Sequence, residues 1–244
     1  MTFAIHTHDP SPRPVPASDP FAFGALAALK FPYTDAVVVS YAPGQEVVGE
    51  GDPTENYFVV VRGVFRAVKV TRDGRRQIFA FYMAGDMCGL EPEESHGLTI
   101  EAVNAGAMAT LSRQACHARM NRDPQFNAAV FENVTRALTH AVDHTTMVGR
   151  SSAEERLAWF LSMLSARDGG RHSASIELTM QRQDIADYLG LTIETVSRTF
   201  THLKAQGLIA LPTTRRIDIL RPDLLARLAS ADRDAPIRDY RAVC

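Results

Sequence analysis

LTMQRQDIADYLGLTIETVSRTFTHLKAQ, residues 178 to 206, reads as two helices joined by a tight corner. In the first helix Ile185, Ala186 and Leu189 form one apolar face. Gly190 and Leu191 make the corner, and Thr192 is placed to cap the second helix. Val196, Phe200 and Leu203 then follow at spacings of 4 and 3, so they share a face. A helix-turn-helix needs a small residue where its helices cross, a glycine at the turn and a β-branched residue locking the second helix; Ala186, Gly190 and Val196 supply them. With that face turned inward, Glu194, Thr195, Ser197, Arg198 and His202 are left on the open side. Glu194, Ser197 and Arg198 lie near the helix N-terminus, the end that enters a major groove. The plain alternative is a pair of core helices with a solvated face, and the number of coinciding constraints weighs against it.

The chain has 244 residues, room for one large or two small domains, and 45% of them are hydrophobic, enough for a sizeable core. The net charge of −2 is not that of a generally basic nucleic-acid binder. Residues 1–149 carry 12 Lys+Arg against 16 Asp+Glu, and residues 150–244 carry 14 against 12. DNA binding must therefore come from placed residues rather than bulk charge. Cys88, Cys116 and Cys244 lie too far apart for a disulfide framework or a CxxC metal site. No signal peptide and no apolar run of membrane-spanning length is read in the sequence, so a cytoplasmic protein without membrane association is expected.

Residues 1–20 contain five prolines and no periodicity, and are expected to form a flexible arm. His6 and His8 within it have no third ligand nearby and read as solvated. A short helix is expected within residues 21–35. From Ala36 to about Ser112 the pattern turns to short strands punctuated by Pro43-Gly44, Gly51-Asp52-Pro53, Arg62-Gly63, Asp73-Gly74 and Ala84-Gly85-Asp86. Seven or eight strands at this spacing predict a sandwich or jelly-roll barrel.

Asp123 to about Arg150 reads as one long helix with Pro124 in its first turn. Phe131, Val134, Leu138, Ala141, Thr145 and Val148 alternate 3-4-3-4-3, a seam of about two and a half heptads. One helix cannot bury such a stripe alone, so a second copy of the chain is the expected partner; packing on the barrel is the alternative. His140 and His144 have the i, i+4 spacing of metal ligands but lack the Glu of HExxH, and are expected to be exposed or seam-lining. Ser151-Ser152 with Glu154 and Glu155 open a new helix whose core face is Leu157, Phe160, Leu161 and Leu164. Arg167-Asp168-Gly169-Gly170 ends it. Beyond the helix-turn-helix, residues 208–211 and 217–220 flank Pro212-Thr213-Thr214-Arg215-Arg216, a hairpin with a basic tip, and a last short helix begins at Arg221.

This order resembles the cyclic-AMP receptor/FNR superfamily of bacterial transcription regulators, over about residues 25–228. The helix carrying Glu194-Thr195-Val196-Ser197-Arg198 is similar to the FNR and FixK branches, whose E-x-x-S-R arrangement implies a TTGAT/ATCAA palindrome. The resemblance implies an α+β chain: arm (1–20), cyclic-nucleotide-binding-like jelly-roll barrel (21–122), dimerisation helix (123–150), winged helix-turn-helix (151–229) and loose tail (230–244). It also implies RNA polymerase as a partner, for which exposed turns such as Arg72–Arg76 are candidates. Chemistry supports the reading roles. Arg198 can donate bidentately to guanine, Glu194 can accept from a cytosine or adenine amine, and Ser197 can touch a thymine or a phosphate. Thr179, Gln181, Thr192, Thr195, Thr199 and His202 are better placed for phosphates. Arg215 and Arg216 either add backbone contacts or form a solvated turn.

Cyclic-AMP binders of this superfamily fix the cyclic phosphate with an arginine. Here no arginine lies between Arg76 and Arg113, and Glu91 alone would repel a phosphate. No cysteine precedes Cys88, so the N-terminal iron–sulfur cluster of FNR is not expected. Cys88 and His96 are weak haem candidates, and Cys88 reads as a small buried apolar residue. Gly89-Leu90-Glu91 and His96 to Ala102 resemble the FixK subgroup, which implies a regulator without a small-molecule effector, controlled by its amount in a low-oxygen response. No cofactor and no metal is expected. A regulator of the same fold switched by a small ligand, haem or thiol redox in the barrel is the alternative. A cupin-type enzyme would need a His-x-His and a Glu on the barrel strands, and the barrel stretch has only His96, so no enzyme is expected.

Overall fold

The computed structural model describes residues 13–14, 36–150, 152–167 and 175–230. The chain divides into two compact units, residues 1–68 with 81–133 and residues 69–80 with 134–244.

The first unit is built on two antiparallel sheets. One has the order β1 (Arg13–Pro14), β2 (Val37–Tyr41), β9 (Gly106–Ser112), β4 (Asn56–Arg62), β7 (Met87–Cys88). The other runs β3 (Glu46–Val48), β8 (Thr99–Ala102), β5 (Phe65–Val70), β6 (Arg76–Tyr82), of which residues 69–80 are counted with the second unit. Period-2 alternation decides the core. On β4, Phe58 and Val60 point to one cluster with Tyr41, Phe65, Cys88, Ile100, Ala102 and Met108. Val59 and Val61 point to the other face, against Ala107, Ala109, Cys116, Phe126 and Val130. That second face is covered by α1 (Arg113–Met120) and the start of α2 (Pro124–Arg150). The Asp123 carboxylate accepts from the Gln125 and Phe126 amides at 3.1 and 3.0 Å and caps α2, which lowers its pKa.

Two features here differ from the sequence expectation. Arg13–Pro14, expected in an unstructured arm, pairs antiparallel with Ser40 and Val39 on the open edge of β2, where a proline is tolerated. The rest of the arm, the helix expected within 21–35 and the tail after Ser230 lie outside the described residues. Helix α1 was not expected. Of its eight residues only Cys116 is buried, so it carries no apolar period to read.

The second unit holds the C-terminal part of α2, then α3 (Ala153–Arg167), α4 (Arg182–Leu189), α5 (Ile193–Ala205) and α6 (Pro222–Ala229). A three-stranded sheet of order β10 (Ser175–Glu177), β12 (Arg216–Ile219), β11 (Ile209–Ala210) completes it. Leu157, Phe160 and Leu161 of α3 are wholly buried. His140 and His144 were expected at the surface or on the seam, and they turn inward instead. His144 stacks on Tyr188 with ring centroids 4.2 Å apart, and its Nε2 lies 2.8 Å from the Tyr188 carbonyl oxygen. His140 lies 5.7 Å from the Trp159 ring. Both sit on the α2 face that packs against flat aromatic rings, so packing rather than polarity sets their direction. On the opposite face of α2, Phe131, Val134 and Leu138 are exposed, at 71%, 39% and 64%. Ala141 and Thr145 are exposed too, while Val148 is half-buried. Val142, 55% exposed, joins this stripe although the 3-4 spacing does not include it. Among the described residues no helix is long and apolar enough to cross a membrane.

Candidate nucleic-acid interface

The motif of residues 178–206 forms as its sequence directs. Ile185, Ala186 and Leu189 of α4, and Val196, Phe200 and Leu203 of α5, are buried. Gly190 ends α4 at φ 62° and ψ 41°, a left-handed conformation that any side chain would resist. Its flanking carbonyls are satisfied by α3, since Arg156 Nη1 donates to Leu189 O at 2.9 Å and to Gly190 O at 3.3 Å. At the start of α4, Asp184 Oδ2 accepts from the Gln181 amide at 3.0 Å. Thr192 caps α5, its Oγ1 accepting from the Thr195 amide at 3.2 Å.

With those faces fixed, Glu194, Ser197 and Arg198 stand exposed together on the first two turns of α5. Glu194's carboxyl is held below its usual range, first by a backbone amide at the positive helix end, then by the Thr192 hydroxyl and the Arg198 charge. A fully ionised acceptor, a hydroxyl and a guanidinium thus share one surface, a set able to meet base edges.

The residues expected at phosphates divide. Gln181, Thr192 and His202 are exposed, and Thr179 and Thr195 half-buried. His202 already engages protein groups, with Glu154 Oε1 at 3.2 Å and Gln206 Nε2 at 2.7 Å from its Nε2. Thr199 is a correction. It is 6% exposed and its Oγ1 donates to Thr195 O at 2.8 Å, so it belongs to the packing face and not to a phosphate contact.

The hairpin between β11 and β12 has the basic tip expected of it. Thr213 Oγ1 accepts from the Arg215 and Arg216 amides at 3.2 and 2.9 Å and shapes the turn. Arg215 is exposed. Arg216 pairs with Asp218 at 3.1 Å, so part of its charge is used within the hairpin. Arg182, which the sequence did not single out, ties the parts together. Its guanidinium lies 3.4 Å over the Phe200 ring of α5, and its Nη2 donates to Thr214 O at 3.3 Å. Burial pushes its pKa down to about 10, which leaves it charged at neutral pH.

In the first unit, Cys88 is 1% exposed and its thiol is pushed well above its usual range, chiefly by burial and then by Glu91 and Asp86. His96 is 2% exposed, with Nδ1 3.4 Å from Glu91 Oε2. Among the described residues no group of three or more His, Cys, Asp and Glu is placed to hold a metal ion.

Residues 155–228 match the Crp-like helix-turn-helix domain, and residues 38–123 match the cyclic nucleotide-binding domain. The nitrogen fixation regulation protein FixK of Azorhizobium caulinodans is 42% identical over 193 residues, covering 78% of each chain. FixK of Rhizobium meliloti is 39% identical, covering 80% of this chain and 88% of that protein. The structure of FixK2 from Bradyrhizobium japonicum is similar with a TM-score of 0.75 at 36% identity, covering 81% of this chain and 98% of that one.

Proposed function

The chain belongs to the cyclic-AMP receptor/FNR superfamily of transcription regulators, in its FixK-like group, and from that premise we propose that it reads a TTGAT-N4-ATCAA-like palindrome as a homodimer. It is a helix-turn-helix regulator and not an enzyme. One observation carries the reading. Glu194, Ser197 and Arg198 are exposed side by side on α5 while Val196, Phe200 and Leu203 anchor its other face. Arg198 pairs bidentately with guanine, Glu194 accepts from a base amine, and Ser197 contacts a thymine or a phosphate. Thr179, Gln181, Thr192, Thr195, His202, Arg215 and Arg216 hold the backbone and set the register without specifying sequence.

The exposed stripe Phe131, Val134, Leu138, Ala141 and Thr145, with Val148 at its end, is the dimer seam. Two readers related by a two-fold axis then meet two half-sites about one helical turn apart. The regulator acts mainly as a cytoplasmic activator in a low-oxygen response, touching RNA polymerase at its promoters. It works without a cyclic-nucleotide effector, a reading supported by the lack of any arginine between Arg76 and Arg113. Arg76 does not serve as an exposed polymerase contact, because its side chain is hydrogen-bonded to α4; Arg72 and Arg75 are the exposed cations of that turn.

A second reading, a switch inside the barrel, is favoured by half-buried Glu91 and buried His96, whose Glu91 Oε2 and both ring nitrogens have no hydrogen-bond partner among the described residues. Selection of preferred duplexes from a random pool, with and without oxygen, tests the first reading. A symmetric TTGAT-type consensus in both arms supports it, and a pool without symmetry contradicts it. Calorimetry with cyclic nucleotides and metal analysis of the purified protein test the second.

A further inference from the structure

The second unit contains, besides residues 134–244, a segment remote in sequence: residues 69–80, the tip of the hairpin formed by β5 and β6. The tip is held in shape by its own groups. The Thr71 amide donates to Arg75 O at 2.9 Å, and the Gly74 amide to Thr71 O at 2.8 Å. Arg75 Nε pairs with Asp73 Oδ2 at 2.6 Å, and Gly74 takes the φ of 77° that the turn requires.

From this tip Arg76 reaches α4. Its Nη2 donates to Asp184 Oδ1 at 2.5 Å and its Nε to Asp187 Oδ2 at 2.8 Å. Gln77 Nε2 donates to the Asp187 carbonyl oxygen at 2.6 Å. The two carboxylates stand one turn apart on α4, so a single guanidinium bridges that turn. Each keeps its second oxygen for α4: Asp184 Oδ2 for the Gln181 amide, Asp187 Oδ1 for Gln183 Nε2. The side chains of Asp184 and Asp187 are only 4% and 11% exposed. Burial works against the Arg76 charge, but the hydrogen bonds to Asp184 and Asp187 outweigh it and raise its pKa. Without Arg76, α4 would hold two nearly buried anions, Asp184 in the first turn beside Gln181 and Asp187 one turn further on.

We propose that Arg76 is a positioning residue for DNA reading: the hairpin tip neutralises Asp184 and Asp187 and thereby fixes the N-terminus of the first helix of the helix-turn-helix for its phosphate contacts. The proposal rests on the DNA-reading function stated above. It assigns to the hairpin a coupling to DNA affinity rather than to base choice, because Glu194, Ser197 and Arg198 lie on the other helix.

Full-length protein is titrated onto the selected palindrome and onto a scrambled duplex by fluorescence anisotropy, with a thermal melt of each variant. Arg76→Ala is expected to weaken both duplexes by about 2- to 30-fold, keeping the ratio between them. Adding Asp187→Asn to Arg76→Ala is expected to recover part of the loss, because it removes one charge left without its counter-ion. A lowered melt with wild-type affinity for both duplexes would mark a merely structural contact. Arg76→Lys, a milder change that cannot bridge two carboxylates, is expected to fall between wild type and Arg76→Ala, and it carries the test if Arg76→Ala does not fold. Folded Arg76→Ala with wild-type affinity, or a double variant weaker than the single one, overturns the proposal. Wild-type protein that binds neither duplex overturns the DNA-reading premise and this proposal with it, an outcome separable from the others because it precedes any substitution.

Discussion

Helices α4 and α5 are neighbours in one motif, yet they spend their polar residues in opposite directions. On α4, Arg182 lies over Phe200, Asp184 and Asp187 take Arg76, and Gln183 bonds Asp187. On α5, Glu194, Ser197 and Arg198 are left exposed, while Thr199 and Thr201 return their hydroxyls to the helix backbone. The first helix is a fitting whose charges are used up inside the protein, and the second, in the function proposed above, is a probe whose exposed Glu194 and Arg198 are kept for a partner. Substitutions in α4 should therefore change stability and overall affinity together, and those in α5 should change base preference at constant stability.

The largest effect should leave both helices intact. Leu138→Asp puts a charge into the exposed stripe of α2 and separates the two readers, so palindrome affinity should fall by about 10²–10⁴-fold, the avidity of a linked pair. Sedimentation should show a monomer with an unchanged melting profile of the second unit; a dimer, or a monomer of unchanged affinity, would break the assignment of the seam. Next, Leu189→Ala in the fully buried face of α4 should cost about 2–5 kcal/mol of stability, read by denaturant unfolding. A loss well below 1 kcal/mol would mean that α4 is not the fitting described.

The smallest effect is one of pH. His144 packs among Trp159 and Tyr188; burial disfavours its charged form and lowers its pKa in spite of the Tyr188 carbonyl beside it. The unfolded chain binds that proton at about pH 6.5 and the folded chain at a lower pH. Its contribution is thus fully present above about pH 6.5 and declines as the pH falls below it. Melts between pH 5 and 7.5 should show this decline, and His144→Gln should flatten it. An identical slope in the variant would place the acid sensitivity elsewhere.

The helix-turn-helix was legible because each of its constraints is local: an apolar period, a glycine corner, a threonine cap. The barrel was legible from its turns, above all Asp73-Gly74 between two strands. What escaped lacked a period or a short range. Helix α1 buries only Cys116, and β7 has two residues. Thr199 was placed on the open side because of its hydroxyl, although its spacing of 3 from Val196 puts it with the packing face, and the structure buries it. The bond from Arg76 to Asp184 spans 108 positions, and no pattern within either segment points to the other.

The most direct test of the account is a cycle that pairs Arg198 with its base. Wild type and Arg198→Ala are measured on the selected palindrome and on the same duplex with the half-site guanine replaced. On the intact duplex Arg198→Ala should lose about 1–3 kcal/mol, and on the replaced duplex almost nothing, because the bidentate pair is already gone. An equal loss on both duplexes would make Arg198 a phosphate contact and contradict the claim that α5 is the probe.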